Sequence, residues 1–147
     1  MFRVVKGDLF SEQIQPLCHC ISADYAMSMG IAVTFKNIFG KPIEKVDIGK
    51  IVITKHPVTG QIAFNMVTKQ NYWNKPTIHS IMDCLEEVAK YCRDHNIDSV
   101  SMPRIGCGLD KLKWIEVESA IRKILKDINV TVYEPSISNL ERLYLRN

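Results

Sequence analysis

Two amphipathic helical stretches, each followed by a short apolar run, constrain the architecture of this chain more narrowly than any other feature. From Pro76 the apolar positions Ile78, Ile81, Met82, Leu85, Val88, Ala89 and Cys92 keep the three-and-four spacing of one helical face, with largely polar residues between them. Pro76 and Thr77 stand at its start, where proline is tolerated. A second stretch runs from about Trp114 through Val117, Ala120, Ile121, Ile124 and Leu125. Glu116 and Glu118 lie near its N-terminus and Arg122, Lys123 and Lys126 towards its C-terminus, which matches the helix macrodipole. The runs that follow the two helices, Ser99 to Met102 and Val130 to Tyr133, are short and mostly unalternating, as buried strands tend to be. Helix alternating with such strands predicts an α/β layered domain with a largely parallel sheet.

Four further apolar runs read as strands: Phe2 to Val5, Pro16 to Ile21, Lys50 to Thr54 and Ile62 to Thr68, the last two joined by the turn-like segment His56 to Gly60. Glycines and prolines are scattered singly, with no repeat and no linker, so one domain is expected over residues 1–147. Nineteen basic against sixteen acidic residues leave a net charge of +3, too mild to argue nucleic-acid binding from charge alone. The longest apolar stretches, such as Gly30 to Phe35, fall far short of a membrane span. With charged residues between Met1 and Asp8 no secretory leader is expected, and five cysteines are an odd number. A reducing intracellular compartment, cytoplasm or nucleus, is therefore expected.

Three loops have the chemistry to hold a ligand. Met27 to Lys36 follows a strand and carries Gly30 where the chain enters a helix; it reads either as a plain turn or as a phosphate cradle at the helix's positive end. Pro103 to Asp110 places Gly106 and Gly108 after a strand, where open α/β sheets bind their ligands. It lacks both the dinucleotide-binding glycine spacing and the Lys-Ser/Thr ending of a P-loop. Asp110 reads equally as a cap for the next helix. The third loop, Asn65 to Pro76, holds Lys69 at a strand end and the aromatic pair Tyr72 and Trp73. The lysine is either a solvated edge residue or a group aimed into a site, and the pair is either a lid over the core or a stacking surface.

Cys18 and Cys20 fall on one face of their strand and His19 on the other, which argues against a zinc site and for buried, inert thiols. Cys107, between two glycines, is a weaker candidate nucleophile.

In order along the chain, Val4 to Phe10, His19 to Ser22, Gly30 to Lys36, Val67 to Lys69, Lys75 to Thr77, Ser101 to Asp110, Trp114 and Val130 to Tyr133 resemble the macrodomain family. The likeness is to its branch containing the terminal ADP-ribose protein glycohydrolase and the macrodomain of the DNA ADP-ribosylation antitoxins. The resemblance implies a three-layer α/β/α fold with a mixed, roughly six-stranded central sheet, a core of about residues 1–134 and a C-terminal extension over 135–147. It implies ADP-ribose as ligand, with Asp8 at the adenine, and Gly30, Ile31 and Ala32 in one phosphate loop. Ile105, Gly106, Cys107 and Gly108 belong to the other, and Leu9, His19, Ser22, Pro103 and Leu109 count among the ligand contacts. Lys69 matches the catalytic nucleophile and Asp110 the catalytic carboxylate. The implied activity is hydrolysis of ester-linked glutamyl ADP-ribose on proteins by a monomer, with no metal and no cofactor. The alternatives are ADP-ribosylated DNA, O-acetyl-ADP-ribose or ADP-ribose 1″-phosphate as substrate, or a non-catalytic reader.

The chain also departs from that pattern. Ser28-Met29-Gly30 stands where the branch has Gly-Ala-Gly, so Met29 is expected to narrow the distal-ribose pocket or reshape its entrance. Pro42 makes a long helix between Gly40 and Gly49 improbable. Leu140, Leu143 and Tyr144 have helical spacing, and the tail is expected to pack back on the domain or on a partner.

Overall fold

A computed structural model describes residues 1–108 and 111–135. Six strands form one sheet: β1 (Phe2–Lys6), β2 (Leu17–Ser22), β3 (Ile51–Lys55), β4 (Ile62–Lys69), β5 (Ser99–Pro103) and β6 (Asn129–Glu134). Their order is β1-β6-β5-β2-β4-β3, with every neighbouring pair parallel except β3 against β4. The mixed six-stranded sheet is thus the one that the sequence implied. Among the described residues three α-helices accompany it, α1 (Ile31–Phe39), α2 (Ile78–Asp94) and α3 (Trp114–Ile124), together with one short 3-10 turn at Leu9–Ser11. No helix among the described residues is long and apolar enough to cross a membrane. Residues 40–49 form no helix, as Pro42 requires.

The period-two geometry of the strands divides their side chains between two cores. Cys18, Phe64, Met66, Val100, Met102, Val130 and Val132 turn to the face covered by α2 and α3, meeting Ile81, Leu85, Val88, Val117 and Ile121. Leu17, Ile21, Ala63 and Val67 turn to the other face, under Phe35 and Phe39 of α1. The helices are three-layer in consequence: α1 on one side, α2 and α3 on the other. Cys18 is fully buried, and burial, reinforced by Cys84 and Cys92, pushes its thiol far above the usual range, which suits an inert core residue.

His19 anchors α1 to the sheet. It has no exposed surface, stacks face to face on Phe35 with ring centroids 3.6 Å apart, and its Nε2 donates to Asn65 Oδ1 at 2.6 Å. The Asn65 amide in turn donates to the Val52 carbonyl and the Thr54 hydroxyl. Since Nε2 carries the proton, Nδ1 is the bare nitrogen, and it has no hydrogen-bond partner. Protonating it would bury an uncompensated charge.

Burial lowers the His19 pKa from 6.5 to about 4, a shift that the bond to Asn65 opposes. The unfolded chain therefore takes up this proton at a higher pH than the folded one. The corresponding stability is present above pH 6.5 and drains away as the pH falls towards 4, in total about 3 kcal/mol at 1.36 kcal/mol per unit. Urea unfolding between pH 7 and pH 4 should show this loss, and His19→Gln, which cannot titrate, should flatten that part of the profile.

Candidate functional site

Strands β2 and β5 lie side by side at the centre of the sheet but pair only at Leu17 with Ser101, near their beginnings. Beyond that contact no register joins them. Strand order also switches here, since β5, β6 and β1 lie to one side of β2 and β4 and β3 to the other. A crevice at the carboxyl ends of strands, at such a switch in strand order, is where open α/β sheets take their ligands. Gly7 and Asp8, the loop Ala23–Gly30, the loop Gln70–Thr77 and the loop beginning at Arg104 all leave the sheet at this end.

The loop after β2 is held by buried side chains and leaves its tip exposed. Tyr25 (φ 53°), Met27 (φ 43°) and Gly30 (φ 61°) all occupy left-handed backbone. That conformation costs a residue with a Cβ roughly 1–2 kcal/mol. Burial of the Tyr25 and Met27 side chains offsets it, as do the hydrogen bond from Tyr25 Oη to the Glu44 carbonyl at 2.6 Å and Lys45 Nζ, 3.9 Å above the ring. Ser28, Met29 and Gly30 stand outside this anchor, with Met29 57% exposed. Met29 thus lies on the surface where the chain turns into α1. Gly30 is the N-cap of α1 and offers no side-chain cap. The amides of Ile31 and Ala32 begin a helix whose first turn has no intrahelical acceptors, the arrangement that favours an anion. The contrast with α2 is instructive. There Thr77 and Ser80 form a complete capping box, so that helix end is satisfied from within the chain.

The second glycine loop, following β5, packs on the first turns of α2. Gly106 has φ +72°, and a Cβ added there would lie 2.7 Å from Ile81 Cδ1 and 3.1 Å from Leu112 Cδ1. Its carbonyl accepts the Leu112 amide at 2.7 Å. Gly108 faces open space. Ile105 is buried and pins the loop to the core, while Pro103 and Cys107 are half-buried. The Arg104 guanidinium pairs with Glu134 and lies 5.2 Å from the centroid of Trp114, so that it ties the start of the loop to β6 and α3. Leu109 and Asp110 lie outside the described residues, as does the tail from residue 136 onward with Leu140, Leu143 and Tyr144. The N-cap of α3 is Lys113, not Asp110.

Lys69 is delivered by an irregularity that no sequence pattern announces. Strand β4 pairs Val67 with Ile21 and then skips Thr68, so that Lys69 stands opposite Ser22. A bulge inserts one residue and moves the side chains beyond it to the opposite face, a common device beside functional sites. Lys69 therefore ends an interior strand, between β2 and β3, and is half-buried there. The reading of this lysine as a solvated edge residue is overturned. Ser80 Oγ donates to the Thr68 carbonyl at 2.7 Å, and the Thr68 hydroxyl is buried without a partner.

Asp24 fastens the first loop to the segment following Lys69. Its Oδ1 accepts the Ser22 hydroxyl at 2.5 Å and the Ala26 amide at 3.0 Å, while Oδ2 accepts the Tyr72 amide at 3.0 Å. Partial burial opposes ionisation, but these bonds, Ser22 first among them, and the charge of Lys45 outweigh it and hold the carboxyl below its ordinary range. The Ala23 amide adds a bond to the Lys69 carbonyl at 2.8 Å. Asp24 carried no signal in the sequence beyond being an acid in a loop.

Of the other expected contacts, Asp8 is exposed, caps the 3-10 turn by accepting the Phe10 amide at 3.0 Å, and stands at the end of β1. Leu9 is buried against α1. Ser22 is nearly buried, with its hydroxyl committed to Asp24. His19 is not brought to the crevice. Its ring is wholly enclosed between Phe35 and Asn65, because the strand's alternation points it beneath α1. The aromatic pair is no lid, since Tyr72 is 51% and Trp73 67% exposed. A groove of about 580 Å³ runs along the outer edge of β3, lined by Phe39, Pro42, Tyr91 and the strand itself, and contains none of these loops. The described residues hold no cluster of three or more metal-ligating side chains.

Comparison with known proteins agrees with this fold. The family model described as "Macro domain" matches residues 24–121. Human ADP-ribose glycohydrolase OARD1 is 38% identical over 136 residues, covering 88% of each chain. The DNA ADP-ribosyl glycohydrolase of Mycobacterium tuberculosis is 29% identical over 88% of this chain, which spans only 41% of that longer protein. Among solved structures, the macrodomain of Thermus aquaticus DarG superposes with a TM-score of 0.79 at 25% identity, covering 92% of this chain and 99% of the other.

The glycine requirement at position 106 is open to test. Gly106→Ala combines left-handed backbone with the clash against Ile81, and should cost about 1–2 kcal/mol. At roughly 2–4 °C per kcal/mol for a chain of this size, thermal unfolding should detect it readily. Gly108→Ala, whose Cβ meets nothing within 4 Å, should lose much less.

Proposed function

Because the chain belongs to the macrodomain family, we propose that it is an ADP-ribosyl hydrolase that binds ADP-ribose across the crevice between β2 and β5 and cleaves its bond to an ester-linked glutamate on proteins. The observation that carries this reading is the bulge at Thr68, which sets Lys69 opposite Ser22, at the end of the strand that forms one wall of the crevice. The likeness to human ADP-ribose glycohydrolase OARD1 supports the same chemistry. Binding through backbone amides alone would need neither an amine nor a carboxylate, so Lys69 and Asp110 favour a hydrolase over a reader.

In this reading the Asp8 carboxylate accepts the adenine amino group, keeping one oxygen on the Phe10 amide. The diphosphate rests on the amides of Gly30, Ile31 and Ala32 and on those of Ile105 to Gly108, where neutral donors are held in place before the ligand arrives. The distal ribose then lies towards Lys69. A lysine amine attacks only after losing its proton, which closure around the ligand and exclusion of water promote. The Lys69 nitrogen forms a bond to the anomeric carbon as the carbon–oxygen bond to glutamate breaks, and the glutamate leaves as its carboxylate. Water then displaces the lysine and releases ADP-ribose. Asp110 relays the protons in both steps, as a general acid and base. The protein acts as a monomer with one site, and its five free thiols suit a reducing intracellular compartment. A nucleobase in DNA is the second acceptor considered, supported by the likeness to the mycobacterial DNA ADP-ribosyl glycohydrolase.

Titration calorimetry with ADP-ribose should give one-to-one binding, weakened about tenfold in Asp8→Ala through loss of one hydrogen bond. No heat at millimolar ligand would overturn the assignment. Lys69→Ala should retain ADP-ribose affinity while losing turnover of glutamyl-ADP-ribosylated protein, because the nucleophile goes and the backbone cradle stays. Substantial turnover by that variant would leave attack by water, with Asp110 as base, as the surviving mechanism.

A further inference from the structure

Lys69 is pinned along its backbone by bonds that leave its side chain free to turn. Ser80 Oγ donates to the Thr68 carbonyl at 2.7 Å, the Ala23 amide to the Lys69 carbonyl at 2.8 Å, and the Tyr72 amide to Asp24 Oδ2 at 3.0 Å. The chain is thus fixed just before the lysine, at it and shortly beyond it. A flexible aliphatic stem still separates that backbone from the amine, and a nucleophile reacts only when its lone pair meets the reacting carbon. The direction of the lone pair has to be set by a group beside the nitrogen.

Ser22 stands in the right place for this. It pairs with Lys69 in register, and residues paired across adjacent strands carry their side chains on one face of the sheet. It is 5% exposed, and its hydroxyl donates to Asp24 Oδ1 at 2.5 Å. A serine hydroxyl has one proton and two lone pairs. With the proton committed to Asp24, Ser22 offers its neighbour lone pairs only, and it meets an amine as an acceptor. Released from Asp24, the same hydroxyl would donate to the amine's own lone pair and occupy the electrons needed for attack.

Asp24 is suited to hold that proton in place. Partial burial opposes its ionisation, but the bonds from Ser22, Ala26 and Tyr72 and the charge of Lys45 outweigh it, so the carboxyl stays charged below its ordinary range. An ionised carboxylate accepts and never donates, and its bond to a hydroxyl is stronger than a neutral one. The same preference for the charged form makes Asp24 a poor destination for the lysine proton, so its part is orientation and not base catalysis.

We infer that Asp24 is a positioning residue for the nucleophile: it fixes the Ser22 proton away from the amine, the neutral Lys69 amine donates one N–H to Ser22 Oγ, and the nitrogen lone pair is left facing the anomeric carbon. The Ser22 proton stays in its bond to Asp24 throughout, so no proton leaves by this route. The inference rests on the proposed hydrolase reading with Lys69 as nucleophile.

The test measures kcat and KM of full-length variants on glutamyl-ADP-ribosylated protein across a range of pH, with calorimetry of ADP-ribose binding beside it. Ser22→Ala should lower kcat about tenfold, the loss expected from one hydrogen bond made at the reacting group, with KM and ADP-ribose affinity nearly unchanged. Asp24→Ala should lower kcat further, because the released hydroxyl blocks the amine. Removing that hydroxyl as well should relieve the block, so the double variant Ser22→Ala with Asp24→Ala should recover to the level of Ser22→Ala alone. Asp24→Asn, which keeps an oxygen for Ser22, should fall between the unsubstituted protein and Asp24→Ala, and its kcat should still rise with pH as the lysine loses its proton. If Asp24→Ala loosens the loop and loses ADP-ribose affinity, Asp24→Asn carries the same comparison with Ser22→Ala. A double variant slower than either single one would make Asp24 a loop staple acting independently of Ser22 and overturn the inference. Disappearance of the rise with pH in Asp24→Asn would make it a base, with the same result. Unchanged kcat in Asp24→Ala while Lys69→Ala is inactive removes this inference alone, whereas turnover that survives Lys69→Ala removes the lysine mechanism and the inference together.

Discussion

The single register contact between β2 and β5 is the constraint on which the rest of the molecule depends. Leu17 opposite Ser101 joins the two halves of the sheet, and the absence of further pairing between these strands leaves an opening in the middle of what would otherwise be a continuous surface. Elsewhere the strands pair over five or six residues, so the sheet is stiff on both sides of the opening. A crevice with rigid walls positions loops more accurately than loops could position themselves. Both glycine loops rise from its two walls, one from β2 and one from β5.

The packing beneath those loops fixes their backbone. Gly106 comes so close to Ile81 and Leu112 that a side chain is excluded, and Tyr25 and Met27 endure left-handed backbone because burial holds them there. Strain of this kind persists only where the surroundings over-determine it. Asp24 completes the arrangement by bonding Ser22, Ala26 and Tyr72 at once, so that the β2 loop is tied to the segment beyond Lys69. On the opposite face of β2, the His19–Phe35 stack and the Asn65 network keep α1, and with it the helix end at Gly30, at a set height above the sheet.

Much of this was legible before any coordinates. The apolar spacing from Ile78 to Cys92, with Pro76 and Thr77 at its start, marked α2, which the structure shows over Ile78–Asp94. The strand beginnings and ends fell within a residue or two of their observed places, and the alternation of Cys18, His19 and Cys20 assigned their faces correctly. What alternation could not say was how deeply His19 would be covered. That depended on Phe35, sixteen positions away in sequence, stacking upon it. The aromatic pair at Tyr72 and Trp73 was equally ambiguous, because a lid and a surface platform have the same composition and differ only in what lies beneath.

The sequence by itself determined the six strands, the two long helices, the faces of Cys18, His19 and Cys20 and the positions of the glycine loops, since helical and strand periodicities and the freedom of glycine are local properties of the chain. Tertiary structure alone decided that β2 and β5 part after one contact, that Thr68 is skipped so that Lys69 faces Ser22, and that Asp24 fastens two loops together. Each of these is a pairing between segments dozens of residues apart. A strand carries no mark of which neighbour it will accept or where the register will slip, because that is settled by the competition of all the strands for one sheet.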